Sequence, residues 1–201
     1  MVICHNKKCI FIHIPKTAGT SIEHFLRENG KNELSLIGVL NKRSMHHYTS
    51  VEIKKNMPYC FNTYYKFSIV RNPYERLLSE YYWTPIINVG YKYGKSLDHF
   101  LNYVEHVVKK KLYFVHINND HFIPQFLFLY NNGKLLVDQL FKYEDLEWVG
   151  EYLKKKLSIK NDILVLNKTN ENIKKMKWND VQKERIYKLY KRDFEIFNYE
   201  K

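Results

Sequence analysis

The stretch from Ile10 to Ile22, IFIHIPKTAGTSI, constrains the fold of this chain more than any other. Ile10, Phe11, Ile12 and Ile14 make an apolar run suited to a buried strand, and Pro15 ends it. Gly19 lets backbone approach a ligand, while Thr17, Thr20 and Ser21 bring hydroxyls. Ile22, Phe25 and Leu26 then fall on one helical face, and Gly30 is placed to end that helix. A strand, a small polar loop and a helix in this order make an anion site. The helix start offers N–H groups and the positive end of its dipole, and Lys16 adds a full charge. A phosphate or sulfate is the natural guest. In the nucleotide loop G-x-x-x-x-G-K-[ST] the lysine follows the second glycine; here it precedes Gly19, which disfavours ordinary ATP or GTP hydrolysis.

A second strand-to-helix junction lies between Phe67 and Tyr81. An apolar run ends at Arg71, and Asn72-Pro73 supplies a helix cap followed by the proline favoured at the first helical position. Ser79 follows Arg71 by eight residues, about two helical turns. Between the two junctions stand His46 and His47, just before a helix that Thr49 or Ser50 caps and that closes before Pro58. An imidazole has an unperturbed pKa near 6.5, so these adjacent histidines are the best general-base candidates in the chain.

Lys16 through Ser21 match, without a gap, the P-K-T-A-G-T-S form of the 5′-phosphosulfate loop in carbohydrate sulfotransferases related to heparan sulfate 2-O-sulfotransferase. The chain resembles that family. The resemblance implies a P-loop-NTPase-like sulfotransferase fold and 3′-phosphoadenosine 5′-phosphosulfate (PAPS) as cofactor, with adenosine 3′,5′-bisphosphate as product. It assigns Lys16, Thr17, Ala18, Gly19, Thr20 and Ser21 to the 5′-phosphosulfate and Arg71 and Ser79 to the 3′-phosphate. His47-Tyr48-Thr49 matches a His-x-Thr element of the family, which makes His47 the expected base, with His46 as the alternative. His121 and Gln125 match a His-x-x-Pro-Gln element, either reaching the acceptor or serving structure. Lys168 falls where the family has a loop over the cofactor, and there it would meet a phosphate. His13, which precedes the Ile-Pro-Lys step, is expected to pack or to make a structural hydrogen bond.

A length of 201 residues fits one domain, 1–201, and 45% hydrophobic residues suffice for its core. Strands alternating with helices predict a single α/β domain with a central, mainly parallel sheet flanked by helices and a ligand at the strands' carboxyl ends. Helices are expected from Ser96 to about Val108, after Glu144, and from Asp180, the last with Val181, Ile186, Leu189 and Tyr190 on its core face. Two strands, Phe126 to Leu129 and Leu135 to Tyr143, are expected around Asn132-Gly133, and a short one from Ile163 to Leu166. The stretch from Lys31 to Arg43 has no clear period and is expected to be loop. Arg76 reads either as a second anion contact or as a surface residue paired with a neighbouring glutamate.

Cys4, Cys9 and Cys60 have neither disulfide-framework nor zinc-site spacing, so free thiols are expected and no metal. The start lacks the regions of a signal peptide, and no apolar run is long enough to span a membrane. A cytoplasmic bacterial enzyme without a membrane anchor is the resulting expectation. The formal charge of +12 favours anionic partners. Its lysines are spread along amphipathic segments without a nucleic-acid-binding signature, so the expected partners are the cofactor and a carbohydrate acceptor, possibly acidic, and not nucleic acid. The rival readings are a P-loop-like kinase or hydrolase and a non-catalytic anion- or nucleic-acid-binding α/β protein.

Overall fold

The computed structural model describes residues 2–27, 34–35, 39–40, 43–86, 96–115, 119–164, 166 and 177–201. In chain order its elements are β1 (Val2–Cys4), β2 (Cys9–Ile12), α1 (Gly19–Leu26), β3 (Leu34–Ser35), β4 (Val39–Leu40), β5 (Arg43–Ser44), α2 (Ser50–Asn56) and α3 (Pro58–Thr63). There follow β6 (Tyr65–Val70), α4 (Pro73–Ile86), α5 (Leu97–Lys109), α6 (Gln125–Leu129), β7 (Tyr130–Asn131), β8 (Lys134–Leu135), β9 (Gln139–Lys142), α7 (Leu146–Leu157) and α8 (Asp180–Ile196). The chain forms two compact units, Met1–Val70 with Leu127–Asn167, and Arg71–Phe126 with Lys168–Lys201.

The first unit carries a five-stranded sheet in the order β3-β1-β2-β6-β9. Its centre, β2-β6-β9, is parallel, as expected for an α/β protein, while β1 pairs antiparallel with both β2 and β3. Every residue of β2 is buried, which is why it reads as a continuous apolar run rather than an alternating one. Phe11 and Phe67 meet with ring centroids 5.3 Å apart, and Phe67 meets Phe141 edge-on at 6.3 Å. Each such pair adds about 0.5–1.5 kcal/mol beyond its area burial. The Ser68 hydroxyl donates to the Ile12 carbonyl at 2.7 Å and ties the end of β2 to its parallel neighbour where the anion loop begins.

The second unit is helical. Its core joins Tyr74 and Leu77 of α4, Phe100, Leu101 and Val104 of α5, and Ile186, Tyr190 and Phe194 of α8 around Phe122 and Trp178. Three caps expected from sequence are present: Thr49 with Glu52 on α2, Ser96 on α5, and Asn72, whose Oδ1 accepts from the Tyr74 N–H at 2.9 Å. The three cysteines are buried and none is in a disulfide.

Several local expectations are corrected. Residues 126–129 are helical, because the Gln125 and Phe126 N–H groups are held by Asp193 and start α6 rather than a strand. The Asn132-Gly133 turn stands, with φ of 48° and 77°, and joins β7 to β8. Within Lys31 to Arg43, Leu34–Ser35 and Val39–Leu40 are strands, because β1 and β5 offer pairing edges that sequence period does not reveal. Ile163 and Leu164 are not in a strand. On α8, Val181 is exposed and Gln182 is buried instead, its amide bonded to Asp98 at 3.0 Å.

Candidate active site

In the sheet unit the chain leaves β2 through His13, Ile14 and Pro15 and turns into α1 with left-handed backbone at Lys16 (φ 69°) and Ala18 (φ 68°). Positive φ at two non-glycine residues is unfavourable and marks a loop shaped for something other than stability. Alternation of this kind curls successive N–H groups into one concavity that suits an anion. Ala18 occupies the cap position of α1 and offers no side-chain cap, so the first N–H groups of the helix are left for another acceptor. The Thr17 hydroxyl turns inward and donates to the Ile14 carbonyl at 2.8 Å, which stiffens the loop. Ser21 Oγ accepts from the Leu166 N–H at 3.0 Å and keeps its own proton to donate.

Gly19 is required by its neighbour. A Cβ at this position would stand 1.7 Å from His13 Nε2, so the imidazole occupies the space that any other residue would fill. His13 Nδ1 in turn lies 3.0 Å from Glu23 Oε1. Glu23 sits one turn after Gly19 on the same helical face, and the same oxygen meets His46 Nδ1 at 3.1 Å. The His13 ring also packs edge-on against His47, with centroids 5.1 Å apart. Burial lowers the His13 pKa from 6.5 to about 4, against the pull of its bond to Glu23. Burial would raise the Glu23 carboxyl, but hydrogen bonds from His13 and His46 outweigh it and hold the group well below the usual carboxylate range. The expectation that His13 makes a structural hydrogen bond stands. Glu23 was not legible as a site residue; its one signal is its place a turn beyond Gly19.

His46 and His47 lie on a 3₁₀ turn, Met45–His47, which runs into α2. There the Thr49 N–H donates to Glu52 at 2.8 Å, and the Glu52 N–H donates back to Thr49 Oγ1 at 3.3 Å. This reciprocal box fixes the backbone two residues beyond the histidines.

The helical unit holds the second motif. Arg71 precedes the Asn72 cap of α4, Ser79 is half-buried on the same helix, and the Arg71 guanidinium reaches Glu75 at 4.0 Å. Gln125 brackets the backbone of Arg71: its Oε1 accepts from the Arg71 N–H at 2.9 Å and its Nε2 donates to the Arg71 carbonyl at 2.8 Å. Gln125 is fully buried, so it positions Arg71 rather than offering its amide to an acceptor. Asp193, also fully buried, accepts from the Gln125 and Phe126 N–H groups at 2.8 and 2.9 Å. Burial raises its pKa from 3.8 to about 6, with those two backbone donors opposing.

His121 joins a buried network. Its Nδ1 lies 2.8 Å from Glu80 Oε2, and its carbonyl accepts from Arg76 at 2.7 Å. Arg76 is 1% exposed, so it is not a surface residue. Lys168 lies outside the described residues. The depression lined by Glu144, Asp145, Glu147, Trp148 and Glu151 is acidic and unsuited to an anionic ligand. Among the described residues no helix is long and apolar enough to cross a membrane.

A parallel-centred α/β sheet whose second strand feeds an uncapped helix through a lysine-bearing loop has the arrangement of an anion site. The match to a family model agrees: residues 1–200 match the model described as the sulfotransferase family, and the chain belongs to that family. It is therefore an enzyme of sulfonate transfer. No curated relative matches it.

Proposed function

We propose that the chain moves the sulfonate group of PAPS onto a hydroxyl of a carbohydrate-type acceptor by in-line displacement. The observation that carries the reading is the uncapped start of α1, reached through left-handed backbone at Lys16 and Ala18. These residues fit a 5′-phosphosulfate: the concavity supplies backbone N–H groups, Ser21 retains a hydroxyl proton, and Lys16 brings charge. Bound there, the cofactor supplies an activated sulfonate on a phosphate leaving group.

Lys16 neutralises charge that builds on the bridging oxygen as the bond to sulfur breaks, and the N–H groups of residues 17–21 hold the 5′-phosphate. Arg71 and Ser79 hold the 3′-phosphate, with Gln125 keeping the Arg71 backbone in place. The acceptor hydroxyl loses its proton to a histidine of the His46 and His47 pair, of which His47 matches the family element. If sulfonate transfer resembles phosphoryl transfer, positioning and charge stabilisation supply most of the rate. The excess of positive charge suits an acidic glycan as acceptor.

Calorimetry with adenosine 3′,5′-bisphosphate, with ATP plus Mg²⁺ as comparison, tests the cofactor. Tight binding of the bisphosphate that collapses in Arg71→Ala is the expected result. Preference for ATP would return the site to the P-loop-like kinase or hydrolase reading. Binding without sulfation of any glycan offered would favour a non-catalytic anion-binding role.

A further inference from the structure

We propose that Glu23 is a positioning residue that accepts the Nδ1 proton of His46, leaving His46 Nε2 as the atom that takes the proton of the acceptor hydroxyl. The inference rests on the sulfonate-transfer reading above and names the base within it.

The geometry is a carboxylate shared by two imidazoles. Glu23 Oε1 lies 3.0 Å from His13 Nδ1 and 3.1 Å from His46 Nδ1. Glu23 is ionised at neutral pH, since the bonds from both histidines outweigh the effect of burial. An ionised carboxylate only accepts, so both Nδ1 atoms carry hydrogen. In a neutral imidazole the proton at Nδ1 leaves the lone pair on Nε2. The two histidines then differ in how exposed they are. His13 Nε2 is directed at Gly19, in the space a Cβ would fill, and the His13 side chain is 12% exposed. The His46 side chain is 26% exposed, twice as much.

His13 therefore serves as a fixed strut between Gly19 and Glu23, and His46 is the more exposed member of the pair. The arrangement has the logic of a carboxylate–histidine dyad, in which the carboxylate selects the tautomer and steadies the imidazolium that forms. In the transfer step the hydroxyl oxygen forms its bond to sulfur while the bond from sulfur to the bridging oxygen breaks. The hydroxyl proton passes to His46 Nε2, and the bridging electron pair leaves with adenosine 3′,5′-bisphosphate. Among the described residues, the titratable groups bonded to Glu23 are His13 from the β2 exit and His46 from the 3₁₀ turn, with His47 packed against the His13 ring.

The test uses the whole chain labelled with ¹⁵N and needs no acceptor. Imidazole nitrogen spectra at pH 7.5 are expected to place the His46 proton on Nδ1 in the wild type and to lose that preference in Glu23→Ala. Modification by diethyl pyrocarbonate, located by mass spectrometry, is expected at His46 Nε2 and to slow at least threefold in Glu23→Gln, which keeps the side chain's size and an acceptor oxygen. A purely structural glutamate would leave the rate unchanged. A wild-type His46 that carries its proton on Nε2, or equal modification rates, would overturn the proposal, and the wild-type spectrum decides even if a variant fails to fold. Bisphosphate calorimetry on the same sample judges the cofactor reading separately: loss of that reading leaves the tautomer result standing, and the reverse also holds.

Discussion

The two anion motifs begin helices in opposite ways. At α1 the cap position is Ala18, which satisfies no N–H with a side chain, and the loop before it is bent through left-handed residues. At α4 the cap is Asn72, whose carboxamide takes the Tyr74 N–H, and the junction is buttressed by Gln125 and, behind it, Asp193. A helix start that satisfies itself has less backbone to give a ligand, so under the proposed function the second motif depends on the side chain of Arg71, while the first depends on N–H groups. The first site is thus sensitive to backbone shape and the second to charge.

Gly19→Ala tests the first half of that contrast and has the largest expected effect. The added Cβ cannot coexist with the His13 ring, which Glu23 holds in place, so the loop must open. Overpacking of this kind costs about 1–3 kcal/mol. Bisphosphate binding should be lost by calorimetry together with a drop in melting temperature. Arg71→Ala tests the second half. Losing a charged hydrogen-bonding partner should weaken the bisphosphate by about 1.5–3 kcal/mol, roughly 10- to 150-fold, with the melting temperature nearly unchanged. Gln125→Ala should weaken binding less than Arg71→Ala but lower the melting temperature more, because it strands the N–H and carbonyl of Arg71. Equal effects on binding and stability for both variants would erase the distinction between charge and support.

The two regions should also answer to pH with opposite signs. His13 binds its proton less readily folded, at about 4 against 6.5, so its contribution to stability is present above 6.5 and is lost as pH falls toward 4. Asp193 binds its proton more readily folded, at about 6 against 3.8, so its contribution is present below 3.8 and is lost as pH rises through 6. Thermal melts between pH 4 and 6.5 should show His13→Asn removing the first slope and Asp193→Asn the second. The smallest effect is expected from Thr49→Ala, about 1 kcal/mol in chemical denaturation, through loss of the α2 cap.

The legible part of this protein is the part built from near neighbours in sequence. The anion loop, the Asn72-Pro73 start, the Thr49 and Ser96 caps and the Asn132-Gly133 turn each join residues at most a few positions apart, and local chemistry fixes them. Of the candidate residues, Lys16 to Ser21 could be placed at a helix start and Arg71 at a strand end from the pattern alone, since such junctions carry their own punctuation. Asp193 reshaped residues 126–129 from an expected strand into a helix by taking two N–H groups from 67 and 68 residues away. Arg76 became a buried donor to His121, 45 residues on, although its own segment gave no sign of burial.

The sequence by itself determined an α/β chain with an anion loop, a second cationic helix start and a pair of histidines between them. Tertiary structure alone decided that Glu23 gathers His13 and His46, that Gly19 must be glycine because an imidazole fills its Cβ space, and that Gln125 supports Arg71. The physical reason is range. Caps and turns are closed by atoms a few bonds away along the chain, whereas a shared carboxylate or a bracketed backbone depends on partners that only the packed core brings within 3 Å or so.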